Sequence, residues 1–324
     1  MQYSRPAYIR ARYAAVLMLD PKIEEEGAQF MRRFALIAGL AFTCVATAQD
    51  APRRAAAPPA VVEAVQMPAW VERGGQRVPL APGMDLRASD ELRTGADARL
   101  LVKLADGSAV KLGESAQLRL ATVQTRKDNV FVSAMSVLQG AFRFTTDALA
   151  KSRRRDVTVT VATVTAGIRG TDLWGKAASD RDIVCLIEGR IEVSRQGDPT
   201  VTMDQPLSFY IAPRGQPAQP VAPVNPEQLK QWAAETEIAD GRGAARRGGR
   251  WKVVLASGES ENEVLGVYQQ VRAAGFAAEL QPRRVEGRRA YDVRIASLPS
   301  QAEAEALARS LDGKYGVASP RVTQ

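Results

Sequence analysis

Apolar and polar positions alternate with a period of two through most of residues 61–213. Leu100-Leu101-Val102-Lys103-Leu104 is followed by Asp106-Gly107 and then by Ala109-Val110-Lys111-Leu112. Two β-forming runs around an Asp-Gly turn predict a hairpin. Val130-Phe131-Val132, Ala141-Phe142-Arg143-Phe144, Val157-Thr158-Val159-Thr160-Val161 and Ile191-Glu192-Val193 continue the pattern. Strand-sized runs at spacings of about ten residues predict an all-β domain, built as a sandwich, a barrel or a short solenoid. Nothing in this region has the strand–helix rhythm of a βαβ nucleotide fold.

The rhythm then breaks. Pro213, Pro217, Pro220, Pro223 and Pro226 read as a proline-rich linker, with Asn225 as cap and Pro226 as first residue of a short helix reaching Ile238. Gly241-Arg242-Gly243 through Arg246-Arg247-Gly248-Gly249 reads as a flexible cationic linker, which completes a connecting segment over 214–249. From Trp251 strands and helices alternate. Trp251–Leu255 is a strand, and Ser260 with Glu263 forms a capping box for a helix presenting Val264, Val267, Tyr268 and Val271 on one face. Gly275 stops that helix. Strands at 277–284 and 290–296 flank a turn at Glu286-Gly287; Ser300 caps a second helix, and 317–322 closes the pattern. Residues 250–324 are thus predicted as a small α+β domain of order βαββαβ.

Composition narrows the chemistry. The 324 residues contain no histidine, which removes Ser-His-Asp and Cys-His catalysis and the commonest zinc ligand. The two cysteines are Cys44 and Cys185; the latter sits in the apolar run Ile183-Val184-Cys185-Leu186-Ile187 and reads as a small core residue. No cofactor and no metal site are expected. No paired carboxylates carry a recognisable glycanase motif, so the chain is read as non-enzymatic.

Met31 opens an export signal: Arg32-Arg33, the apolar stretch 34–45, then Ala46-Thr47-Ala48, with cleavage expected after Ala48. The stretch is shorter than the roughly 20 apolar residues of a spanning helix, so no transmembrane anchor is expected after cleavage. Phe42 makes the residues before Cys44 a poor lipobox. Residues 1–30 read as an extension upstream of the true start, and 49–60 as a flexible leader. Loss of residues 1–48, with six basic and four acidic side chains, takes the net charge from +8 to +6. An exported, periplasmic location makes nucleic acid an improbable partner for that charge and leaves acidic polymers or lipid.

Two resemblances add to this reading. Val78-Pro79-Leu80-Ala81-Pro82-Gly83, Leu92-Arg93-Thr94-Gly95, Leu104-Ala105-Asp106-Gly107-Ser108 and Gly140–Phe144 occur in order. They lead to Ala166-Gly167-Ile168-Arg169-Gly170-Thr171-Asp172-Leu173-Trp174 and Leu186-Ile187-Glu188-Gly189-Arg190. Residues 61–213 so marked resemble a FecR domain, with Thr160-Val161 where many members have Thr-Pro. The resemblance implies a sensing or scaffold module. In some members it implies a relay of envelope signals to a sigma factor, which needs an uncleaved spanning helix that is not expected here. Arg169, Thr171 and Asp172 are either ligand contacts or an internal ion pair locking a glycine-flexed turn.

The last 74 residues, from Trp251-Lys252-Val253-Val254-Leu255-Ala256-Ser257 through Tyr291-Asp292-Val293-Arg294-Ile295-Ala296 and on to the end, resemble a SPOR domain. Val254 stands where the family usually has glutamine, and Leu298 where it often has phenylalanine. The resemblance implies binding of peptidoglycan glycan strands stripped of stem peptides. Strand alternation directs Trp251, Val253, Leu255, Tyr291, Val293 and Ile295 to the helices. It leaves Lys252, Val254, Ala256, Asp292, Arg294 and Ala296 on the open sheet face. The candidate glycan-binding residues are Arg294, Asp292, Lys252, Val254 and Ser257, with Arg283, Arg284, Arg288 and Arg289 flanking the hairpin. The expected partners are peptidoglycan and envelope or cell-division proteins.

Overall fold

A computed structural model of the protein describes residues 58–146 and 154–324. The expected extension, signal peptide and most of the leader lie outside the described residues. The first half contains β1 (Ala60–Gln66), β2 (Ala69–Arg73), β3 (Gln76–Pro79), β4 (Asp85–Leu86), β5 (Glu91–Thr94) and β6 (Arg99–Leu104). Then come β7 (Ala109–Leu112), β8 (Gln117–Thr125), β9 (Phe131–Thr145), β10 (Arg155–Val161), β11 (Val164–Ala177) and β12 (Arg181–Arg195). β13 (Val201–Met203), β14 (Ser208–Pro213), β15 (Ala222–Pro223), helix α1 (Pro226–Thr236) and β16 (Ala245–Arg246) follow. The C-terminal domain consists of β17 (Trp251–Gly258), α2 (Glu261–Ala273), β18 (Glu279–Val285), β19 (Arg288–Leu298), α3 (Gln301–Leu311) and β20 (Arg321–Thr323).

Strands β1–β16 form one branched sheet that curls into a barrel-like body. The expected hairpin is β6–β7, joined through Asp106, whose carboxylate accepts from the Ser108 hydroxyl at 2.7 Å. Curling depends on long strands that change partners midway. The first half of β9 pairs with β8 and β10, and its second half with β7 and β11. The switch falls at Gly140, with φ +84 and a Cβ position only 2.6 Å from the Ala116 Cα, so only glycine fits. Val62, Leu100, Phe142, Phe144, Leu173 and Leu186 are buried in the main core.

β17, α2, β18, β19, α3 and β20 give the predicted βαββαβ order and an antiparallel sheet arranged β18-β19-β17-β20. Glu286 (φ 49) and Gly287 (φ 81) form its hairpin turn, positive φ at both central residues matching strand twist. The capping box is altered: the Ser260 hydroxyl donates to the Glu263 carboxylate at 2.8 Å and caps no helix N–H.

The connecting segment differs from its expected flexibility. Residues 219–224 add to the sheet edge through β15, Gln219 N–H to Ile211 O and Val224 N–H to Leu207 O. In the glycine- and arginine-rich stretch, Gly243, Ala244 and Ala245 are buried and β16 pairs with β1. The reason is a buried carboxylate. Glu303 of α3 accepts N–H bonds from Gly241 (2.6 Å), Gly243 (2.7 Å) and Ala244 (2.9 Å). Glycine here permits close approach, because a Cβ on Gly243 would lie 3.0 Å from Leu307. The two domains also meet directly: Ala69 N–H donates to Gly275 O, and a single apolar cluster runs from Val62 and Met67 to Phe276, Val293 and Leu311.

Candidate functional site

Register decides which side chains the C-terminal sheet presents. Between Val254 and Ala256 β17 carries a bulge, so Val254 lies opposite Arg294, whereas Ala256 lies opposite Val293. Val253, Leu255, Val293 and Ile295 are buried against the helices as expected. Ala256, expected on the open face, instead joins the helix side, because the extra residue flips everything after it. The same flip brings Ser257 onto the open face, opposite Asp292.

Two cross-strand rows result. Gln281, Asp292 and Ser257 form one; Glu279, Arg294, Val254 and Arg321 form the next. Asp292 accepts from Ser257 Oγ at 2.7 Å and from Arg283 Nε at 2.9 Å, while Arg321 Nη2 donates to Ser257 Oγ at 2.8 Å. Arg294 donates from Nη2 to Gln281 Oε1 at 3.1 Å, and its side chain is 25% exposed. Val254 is 8% exposed, an apolar floor between the guanidinium-bearing Arg294 and Arg321 rather than a projecting contact. Lys252 is half-buried beside Thr323. Gln281 and Arg321 were missed by the sequence reading. Alternation in β18 could have found Gln281; nothing short of the β17–β20 register could have found Arg321.

Such a face offers planar cationic forks, a fixed carboxylate, amide and hydroxyl groups on a shallow surface. It can donate to and accept from several hydroxyl, acetamido or carboxylate oxygens together. Ala69, Met67 and Trp70 of the first domain meet the 275–277 turn after α2, which contributes no residue to these rows.

The second candidate segment is a corner. β11 leaves β10 after Ile168 and joins β9 from Asp172, with Gly170 at φ +65 between. Gly189 abuts it: a Cβ there would meet Gly170 O at 2.5 Å. Thr171 donates from its hydroxyl to Arg190 O at 3.2 Å, and its N–H donates to Thr146 Oγ1. Asp172 forms a bidentate pair with Arg143 (Nε–Oδ1 2.9 Å, Nη2–Oδ2 2.7 Å), which raises the Arg143 pKa above its ordinary value. The Arg169 side chain lies outside the described residues. Thr171 and Asp172 thus brace a strand corner.

Among the described residues no group of three or more acidic or cysteine side chains is placed to hold a metal, and no helix is long and apolar enough to cross a membrane. Nothing among the curated proteins matches the chain. Two crystal structures, each of a candidate anti-sigma factor from Parabacteroides distasonis ATCC 8503, are similar at 14% and 12% identity. They cover 61% and 65% of this chain and 96% and 99% of their own, both with a TM-score of 0.37. Residues 90–192 match the FecR protein family and residues 248–320 the SPOR domain family. Each match covers less than half of the chain, and together they stand in the order read from the sequence: a FecR region followed by a SPOR domain.

Proposed function

We propose that this is an exported, non-enzymatic envelope protein that binds denuded peptidoglycan glycan through the open face of its SPOR domain and presents its FecR region at the cell wall. The SPOR match supports peptidoglycan as the ligand. The single observation that carries the reading is the double row on the open sheet face, in which Ser257 and Arg321 are exposed and Arg294 and Asp292 are half-buried. Arg294 and Asp292 would orient the strand, Ser257 and Lys252 would add hydroxyl and ammonium contacts, and Val254 would give an apolar floor. Thr171 and Asp172 are read as structural rather than ligand-binding, from the Arg143 pair and the bonds to Arg190 O and Thr146.

The test uses residues 49–324, pelleted with whole and with amidase-treated sacculi. A charge-assisted hydrogen bond contributes about 1.5–3 kcal/mol, so Arg294→Ala should weaken binding to treated sacculi by roughly 10- to 150-fold. An Arg294→Ala protein that binds as tightly as the parent shows that the face is misplaced. A parent chain that ignores denuded glycan shows that the ligand is wrong.

A further inference from the structure

β12 is apolar on both faces. Val184 and Leu186 point into the main core, while Ile183, Cys185 and Ile187 belong to a second cluster on the outer side. Trp174, Cys185 and Phe209 stand side by side across β11, β12 and β14 on that outer face. Helix α1 lies over them. Its Trp232 stacks on Trp174 at 4.7 Å and 5° between planes, with Phe209 edge-on at 5.8 Å. Around this aromatic contact runs a ring of charge: Lys176 to Glu235 at 2.9 Å, Lys111 to Glu237 at 2.6 Å and Arg143 to Glu237 at 3.3 Å.

We propose that this outer face is a helix-receiving surface, occupied in cis by α1, which an acidic amphipathic helix of a partner protein displaces. Four observations carry the idea. First, α1 has eleven residues, fewer than the roughly 12–15 that a helix needs to persist unaided, and it buries only Trp232 and Thr236. Second, its carboxylates Glu235 and Glu237 sit at its C-terminal end with no basic residue in the last turn. That arrangement opposes the helix dipole and is favourable only on a cationic surface. Third, α1 fits imperfectly: Trp174 is fully buried, yet its indole N–H has no hydrogen-bond partner. An occupant with an acceptor there would fit better. Fourth, a groove of about 580 Å³ runs alongside α1, with Ile183, Phe209 and Ile211 as its apolar floor, Lys176 and Arg181 as cationic walls and Trp232 of α1 on its other side, where a bulkier acidic helix would bury more. Both ends of the strap carrying α1 are fixed, at β14 and β16, so the helix can lift without separating either domain.

The partner implied is therefore a helix with one large aromatic anchor and carboxylates one turn beyond it. This inference does not depend on the glycan reading. Cys185, the sole cysteine of residues 49–324, lies beneath α1 and reports on opening.

The probe is a synthetic peptide of residues 224–239, and a second with Glu235→Lys and Glu237→Lys. Parent chain and Trp232→Ala, both as residues 49–324, are labelled with a maleimide and titrated with each peptide. The parent should label slowly and bind neither peptide. Trp232→Ala should label at least tenfold faster while keeping its circular dichroism, bind the native peptide, and regain protection with it but not with the charge-reversed one. Gly113→Ala repeats the test with both tryptophans intact, because a Cβ there would press on Glu235 O at 2.7 Å. Unchanged labelling in both variants, equal treatment of the two peptides, or exposure of Cys185 only on global unfolding would each show that α1 is a permanent part of the core.

Discussion

Glu303→Ala tests whether the strap before the SPOR domain is held or merely adjacent. Glu303 is 6% exposed and sits in the first turn of α3, where its own N–H is capped by Ser300. In an ordinary capping box its carboxylate would turn back to the Ser300 N–H. Here both oxygens reach outward to Gly241, Gly243 and Ala244. The Gly241 N–H is only partly buried and can return to water after truncation. The Gly243 and Ala244 N–H groups are buried, and each donor left unpaired costs about 1–3 kcal/mol. The loss is therefore about 2–6 kcal/mol, with water entry pulling it towards the lower half of that range. Glu303→Gln keeps one acceptor oxygen and should lose roughly half as much. Urea unfolding of residues 49–324 followed by fluorescence measures both. A loss below about 1 kcal/mol for Glu303→Ala would refute the assignment, since a buried clamp cannot be that cheap to remove.

Two further outcomes follow from local geometry. Gly275 has φ +93, and a Cβ would lie 2.4 Å from the Trp70 ring, so Gly275→Ala combines left-handed strain with overlap against the other domain. It should lose about 2–4 kcal/mol in the same urea assay, whereas Gly74→Ala, with positive φ but open space, should lose only about 1 kcal/mol. Burial first, and the charge of Asp172 second, push the Cys185 thiol from 9.0 up to about 12. The folded state thus favours the neutral thiol, and its stabilising share is complete below pH 9 and fades as pH rises towards 12. Parent and Cys185→Ala stabilities should converge across that window; curves that stay parallel would mean that the thiol does not titrate with folding.

How much of this was legible depended on whether a feature repeats. Period-two alternation exposed β6, β7, β9, β10 and β12, and the change of period exposed α2 and α3, because each residue in such a run restates the same burial rule. The bulge at Leu255 left no such trace: one extra residue alters no composition, yet it exchanges Ala256 for Ser257 on the open face. The apolar run at 183–187 was visible, but not that α1 supplies its second cover, since that contact joins strands to a helix about 45 residues further on. Gly241–Gly249 misled for a different reason. Glycine permits both disorder and close backbone approach, and only the distant Glu303 decides between them.

The same contacts bear on how the chain unfolds. Independent domains joined by a flexible linker would melt separately, and a ligand of one would leave the other unchanged. Here the apolar cluster is continuous from β1 into α3, the strap is clamped by Glu303, and β16 adds to the first sheet while leading into β17. A single cooperative transition is therefore expected, with the first sheet and the C-terminal helices lost together. Glycan at about 100 times its Kd would add about 2.7 kcal/mol to that one transition. At roughly 2–4 °C per kcal/mol for a chain of this size, the melting temperature should rise by about 5–10 °C at both sets of probes. A rise seen only in the far-ultraviolet helix signal, with the tryptophan signal melting at its original temperature, would mean that the domains are coupled by proximity and not by a shared core.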